Sequence, residues 1–195
     1  MRYKEFNRNK VLDHCISLFW KNGFNSSSIN EIVSITGVNR FSLYKEFGNK
    51  EGILYSALEL YNDRYFSENL NVLNQKKDLR ETLMEFFASL LSETRAHSPG
   101  WFIIHIGTEL ADSDPKVKLT LENFLQELEE NFLSILQLHD ETKSNRLFFA
   151  RHLIGLFCSS MCFCVIQSHK ERLAHVSNGI NIILRKNKEY VAHAE

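Results

Sequence analysis

Between positions 40 and 50, six side chains combine cationic, aromatic and hydroxyl groups: Arg40, Phe41, Ser42, Tyr44, Lys45 and Lys50. The set holds no nucleophile–base pair and no metal-ligand spacing. It suits what a DNA duplex presents. Arginine can fork onto a guanine edge or bind phosphate, and an aromatic ring can meet a thymine methyl. Lysine and hydroxyl groups bond phosphate oxygens and position the backbone. At about 100° per residue, Leu43 and Phe47 fall on one side of a helix from Arg40 to Phe47, with Val38 leading the same way. Phe41, Ser42 and Lys45 fall roughly opposite, and Arg40 and Tyr44 lie on the flank. A helix this short is not stable alone, so Leu43 and Phe47 must pack on neighbours. The other face is then free to enter a groove.

The flanking residues supply the neighbours. Ser28 and Glu31 stand in capping-box spacing and open a helix carrying Ile29, Ile32 and Val33 on one face. Gly37 follows, where a left-handed backbone costs a residue without Cβ least. Asn39 is a good cap for the next helix, and Gly48 closes it. Helix, short turn and helix is the helix-turn-helix unit, whose second helix enters the major groove. Ser28 and Asn39, at the two helix starts, join the expected DNA contacts. Lys50 opens the following helix, where free amides already favour a phosphate.

From Val11 to Leu58 the chain resembles the DNA-binding domain of the TetR family of bacterial transcriptional regulators. The matching residues are Leu12, Leu18-Phe19, Gly23-Phe24, Ser28-Ile29, Glu31-Ile32, Gly37-Val38, Leu43-Tyr44, Phe47 and Lys50-Glu51. The stretch at residues 100–117, GWFIIHIGTELADSDPKV, also resembles a segment of many C-terminal domains in that family. The resemblance implies an all-α homodimer, with a three-helix reader over residues 1–55 and a larger effector-binding and dimerisation domain over residues 56–195. Phe41 departs from the family, which usually has a small residue there, so base contacts do not transfer from relatives.

The charge is divided as a reader on a separate body would require. The 195 residues carry a net charge of −1, and the length allows one or two domains with a sizeable core. Residues 1–55 hold eight Lys/Arg against five Asp/Glu, a balance of +3, and the rest hold 15 against 19, a balance of −4. A basic end on an acidic body is expected when only that end meets phosphate. The first ten residues, MRYKEFNRNK, lack the apolar core of a signal peptide. The longest nearly apolar run, Leu153 to Ile166, is shorter than the roughly 20 residues a membrane helix needs. Cysteines at 15, 158, 162 and 164 show no disulfide-scaffold pattern, which fits a reduced cytoplasmic protein.

The rest of the chain reads as helices, about nine in all. The first runs from about Asn7 to Asn22 and buries Leu12, Cys15, Ile16 and Phe19. A helix from Lys50 to about Asn71 is expected to join the two domains. Leu79, Leu83, Phe86, Phe87 and Leu90 form the stripe of a later helix, and Val117, Leu121, Phe124, Leu128 and Phe132 that of another. Two last helices, Asn145 to Ser168 and about Arg172 to Lys186, carry more apolar surface than a chain this size needs. In the resembled family such helices pair across a two-fold axis as a four-helix bundle, which sets two readers on two half-sites.

An apolar or aromatic effector is expected in the body, against Phe86, Trp101, His105, Glu109, Phe124, Phe148 and His152. Trp101, His105 and Glu109 lie one turn apart on one face. Cys158, Cys162 and Cys164 do not converge as zinc ligands, and no metal or cofactor is expected. Nor is an enzyme: there is no phosphate-cradling glycine loop, nucleophile elbow or HExxH. The expected function is a ligand-responsive repressor, binding a near-palindromic double-stranded operator as a homodimer. A helical small-molecule-binding module without DNA activity is the alternative.

Overall fold

Four short helices open the chain, and each begins on a side-chain cap. In α1 (Arg8–Asn22) the Lys10 N–H donates to Asn7 Oδ1 at 3.0 Å. In α2 (Ile29–Thr36) Ser28 and Glu31 form a reciprocal capping box. In α3 (Arg40–Phe47) the Ser42 N–H donates to Asn39 Oδ1 at 2.9 Å, and in α4 (Lys50–Tyr61) the Gly52 N–H donates to Asn49 Oδ1 at 2.7 Å. Each cap satisfies an amide that the helix cannot. A π-turn, Asn62–Phe66, continues α4, and residues 67–69 of the long helix expected to reach Asn71 lie outside the described residues.

The computed structural model describes residues 6–66, 70–74, 78–91, 101–139, 145–163 and 166–192. Within them follow a 3-10 turn, Asn71–Asn74, then α5 (Leu79–Leu90), α6 (Trp101–Leu110), α7 (Pro115–Leu138), α8 (Arg146–Phe163) and α9 (His169–Ala192). All regular structure among the described residues is helical. The fold is all-α, a helix-turn-helix domain followed by a helical body.

The chain divides into two compact units. One is Met1–Arg64 with Phe102–Leu121, so α6 and the first turns of α7 join the four N-terminal helices. Its core holds Leu12, Cys15 and Phe19 of α1, Ile32 of α2, Leu43 of α3 and Ile53, Leu54 and Ala57 of α4, all fully buried. The other unit is Tyr65–Trp101 with Glu122–Glu195. There α9 packs on both α5 and α8. Two groups of phenylalanine rings fill its interior. Phe86, Phe87 and Phe132 lie with centroids 5.5–6.3 Å apart, and Phe66, Phe124 and Phe157 with centroids 4.3–6.4 Å apart.

By length and composition alone, the 18-residue α8 is apolar enough to cross a bilayer. One side of it builds the interior instead, through Phe149, Ala150, Leu153, Leu156, Phe157 and Met161. Its Arg151 pairs with Glu129 of α7 at 3.0 Å. Both are features of a helix packed in a bundle.

Candidate nucleic-acid interface

The α2–α3 corner is assembled from local chemistry. The Glu31 N–H donates to Ser28 Oγ at 3.2 Å, and the Ser28 N–H donates to Glu31 Oε2 at 2.7 Å. The backbone bond from Ser28 comes first among the causes that hold the Glu31 carboxyl below its usual range. Gly37, at φ 66°, takes the left-handed turn that ends α2, and its N–H returns to Val33 O. Leu43 is fully buried and Phe47 is nearly so, as the periodicity requires. Phe41 stands on the opposite side of α3 with 64% of its surface exposed. Arg40 and Lys45 are also exposed, while Ser42 and Tyr44 are half-buried. The Arg40 guanidinium lies over the Tyr44 ring, 5.1 Å from its centroid, which holds both at the flank of the exposed face.

Ser28 and Asn39 lie at the edges of this face with their side-chain oxygens committed to helix caps. Lys50 is placed differently from a solvated phosphate ligand. Its ammonium donates to Phe24 O at 3.0 Å and Ser27 O at 2.9 Å, and it lies 4.1 Å from the centre of the Phe24 ring. Two of its three N–H groups thus tie down the α1–α2 loop.

Two carboxylates from outside the three-helix motif are fastened to this unit. Glu109 of α6 accepts from the Phe24 N–H at 2.9 Å and the Asn25 N–H at 2.8 Å. Asp114, at the start of α7, accepts from the Tyr55 hydroxyl at 2.8 Å and caps its own helix through Lys116 N–H and Val117 N–H. Desolvation works to raise the Asp114 carboxyl, but these hydrogen bonds outweigh it and hold the group below its usual range. The same bond pushes the Tyr55 phenol up to about 12. Sequence spacing alone did not find these attachments, which join residues 59 and more positions apart.

The seven residues expected to meet an effector are divided between the two units. His105 and Glu109 belong to the unit containing the reader, and Glu109 is committed to its loop. Trp101 opens α6. In the other unit, Phe86 and Phe124 are buried in the two ring groups. Phe148 and His152 are exposed on α8 with their ring centroids 4.0 Å apart. A surface groove of about 430 Å³ is lined by Asp78, Leu79, Arg80, His139, Asn181, Leu184 and Arg185, none of them among the seven. Burial pushes the Cys15 thiol up to about 12, and Cys162 is exposed. Cys164 lies outside the described residues. Among the described residues no three His, Cys, Asp or Glu side chains gather as metal ligands.

A three-helix core presenting the polar, aromatic face of α3, with a helical body behind it in sequence, defines a helix-turn-helix regulator fold. Residues 11–57 match the model of the family described as bacterial regulatory proteins, tetR family. Residues 11–57 thus carry a TetR-family DNA-binding domain. The chain is 31% identical over 125 residues to the HTH-type transcriptional repressor ComR of Escherichia coli K12, a match that spans 63% of this chain and 60% of ComR. Against the uncharacterized HTH-type transcriptional regulator YezE of Bacillus subtilis it is 25% identical, over 74% of this chain and 76% of that one. In fold it resembles the TetR-family regulator CifR, solved with a 26-bp double-strand operator DNA. The TM-score is 0.81 at 19% identity, over 92% of this chain and 98% of that one.

Proposed function

We propose that this protein is a ligand-responsive transcriptional regulator, a cytoplasmic repressor that binds a near-palindromic DNA operator as a homodimer and is released by a small-molecule effector. The observation that carries the reading is the division of α3. Leu43 and Phe47 anchor it, and Arg40, Phe41 and Lys45 are exposed. Arg40 is assigned to a guanine edge or a phosphate, and Phe41 to a thymine methyl. Tyr44, Lys45, Ser42, Asn39 and Ser28 position the sugar–phosphate backbone. Lys50 keeps one N–H for a phosphate beyond its two bonds to the loop.

Support for a dimer comes from apolar surface left outside on the last two helices, Leu147 and Phe148 on α8 and Ile182 on α9. Gly155 adds open space on α8, where a partner helix can approach. An effector that prefers the released state lowers DNA affinity by linkage, through a shift of α4 that changes the distance between the two readers.

Selection of bound sequences from a random duplex pool, with the full chain and with a Tyr44→Ala/Lys45→Ala variant, tests this reading. Enrichment of a near-palindrome by the wild type and its loss in the variant is the expected result. Failure of a folded, dimeric wild type to enrich any sequence at low salt would leave a helical binding module instead.

A further inference from the structure

The loop between α1 and α2 is held from two sides by residues that lie far from it in the chain. Gly23 ends α1 at φ 79°, and its N–H returns to Phe19 O. Ser27 closes the loop on itself, its N–H donating to Phe24 O at 3.1 Å and its hydroxyl to Gly23 O at 2.6 Å. The Phe24 N–H and Asn25 N–H go to the two oxygens of Glu109 at 2.9 and 2.8 Å. The acceptors Phe24 O and Ser27 O go to Lys50 Nζ. Donors are therefore collected by α6 and acceptors by α4. A Cβ at residue 23 would sit 3.2 Å from Glu109 Oε2 and 3.3 Å from Oε1, so the glycine also leaves room for the carboxylate to reach the loop.

We propose that Glu109 is a positioning residue for DNA recognition: its carboxylate, by fixing the Phe24–Asn25 amides, sets where α2 begins and hence how α3 is presented. The inference rests on the reading of the protein as an operator-binding regulator. The residue after this loop is Ser28, the N-cap of α2, and α2 is joined to α3 by only Gly37, Val38 and Asn39. Movement of the loop is carried to the recognition helix with little slack. Charge-assisted bonds to two amides are stronger and more directional than neutral ones, as a fixed loop requires. α6 is itself fastened to α4, since the Phe102 and Tyr61 rings lie 5.2 Å apart, and Asp114 just beyond it bonds Tyr55. Glu109 is thus a strut with a fixed base. The interior of this unit is made by other residues, Leu12, Phe19, Ile32, Leu43 and Leu54, so removing the carboxylate spares the core.

The test uses the full chain, the near-palindrome it selects and a scrambled duplex of the same length. Fluorescence anisotropy gives the ratio of the two affinities for wild type, Glu109→Gln, Glu109→Ala and the control Thr108→Ala. Amide exchange at Phe24 and Asn25 is followed in parallel. The expected result for Glu109→Ala is roughly a tenfold loss of discrimination, on the scale of typical coupling between sites, with scrambled-duplex affinity little changed because non-specific binding is set by charge. Glu109→Gln, isosteric and still able to accept from one amide, should fall between, and Thr108→Ala should match wild type. Faster exchange at the two amides with discrimination unchanged in both Glu109 variants would overturn the inference. So would an equal loss on both duplexes that tracks the thermal midpoint. Failure of the wild type itself to select a sequence would instead overturn the regulator reading, and this role with it.

Discussion

In the reader, helices α1 to α3 each begin on a polar side chain and end on a glycine with positive φ: Gly23, Gly37 and Gly48. In the body the joining is done by rings. Phe86 meets Phe132 across α5 and α7, and Phe124 meets Phe157 across α7 and α8. The first pattern uses contacts within about four residues, and each one dictates a turn or a helix end. The second uses contacts tens of residues apart that dictate little about local direction and much about volume. Such a division suits a protein whose output surface must keep one geometry. The body needs only an interior of the right size, and its surface is free to vary.

Core substitutions give the largest expected effects and probe the comparison directly. Phe132→Ala removes a ring that touches both Phe86 and Phe87, and should cost about 3–5 kcal/mol of unfolding free energy. Leu43→Ala in the reader should cost about 2–5 kcal/mol and abolish operator selection, because Leu43 and Phe47 are the buried side chains of α3. Denaturant unfolding followed by circular dichroism, with DNA binding measured on the fraction that remains folded, checks both. If Phe132→Ala cost under about 1 kcal/mol, the body interior would not depend on its rings as described.

The same division explains what was legible in the sequence. Ser28–Glu31, Gly37, Asn39 and Gly48 announced the helix-turn-helix corner, and the structure has every one in its expected part. The buried stripes of α5 and α7 were also readable from their spacing, apart from Leu121, which is half-buried. The start of α9 was misplaced by about three residues, although Ser168 and Glu171 carried the same signature as Ser28 and Glu31. Glu109 was not legible. A glutamate one turn after His105 looks like a pocket residue until the fold brings residues 24 and 25 to it, and helical periodicity says nothing about a partner 84 or 85 positions away. Phe86 and Phe124 share that difficulty, since a stripe of aromatics reads alike whether it lines a cavity or fills one.

Removing single caps should give middle-sized effects and sharpen the contrast in function. Ser28→Ala and Asn39→Ala should each lower stability by about 1 kcal/mol, the usual cost of losing such a cap. Ser168→Ala, in the body, should cost a similar amount, because Ser168 caps α9 through the Glu171 N–H at 3.3 Å. The stability losses should match, but operator affinity should fall only for the two reader variants. Equal loss of DNA binding in Ser168→Ala would mean that the body's local order controls the reader as strongly as the reader's own caps.

The smallest effect is a pH dependence shared by the two units. The Glu31 carboxyl is held below 4.5 first by the Ser28 backbone N–H, and the Glu171 carboxyl is held below 4.5 first by the Ser168 hydroxyl. A carboxyl whose folded pKa is depressed stabilises the fold above its unfolded pKa and loses that contribution as pH falls through the folded value. Glu31→Gln and Glu171→Gln keep a capping amide and remove the titration. Each variant should therefore trail wild type in stability at pH 7, with the gap closing as the pH is lowered below 4.5. Both carboxylates are open to solvent, so the gap should also shrink with added salt. Parallel pH curves for the two variants would make capping the device common to both units and leave ring packing as their difference. A pH-dependent gap for Glu31 with none for Glu171 would show instead that even this local device works differently in the reader.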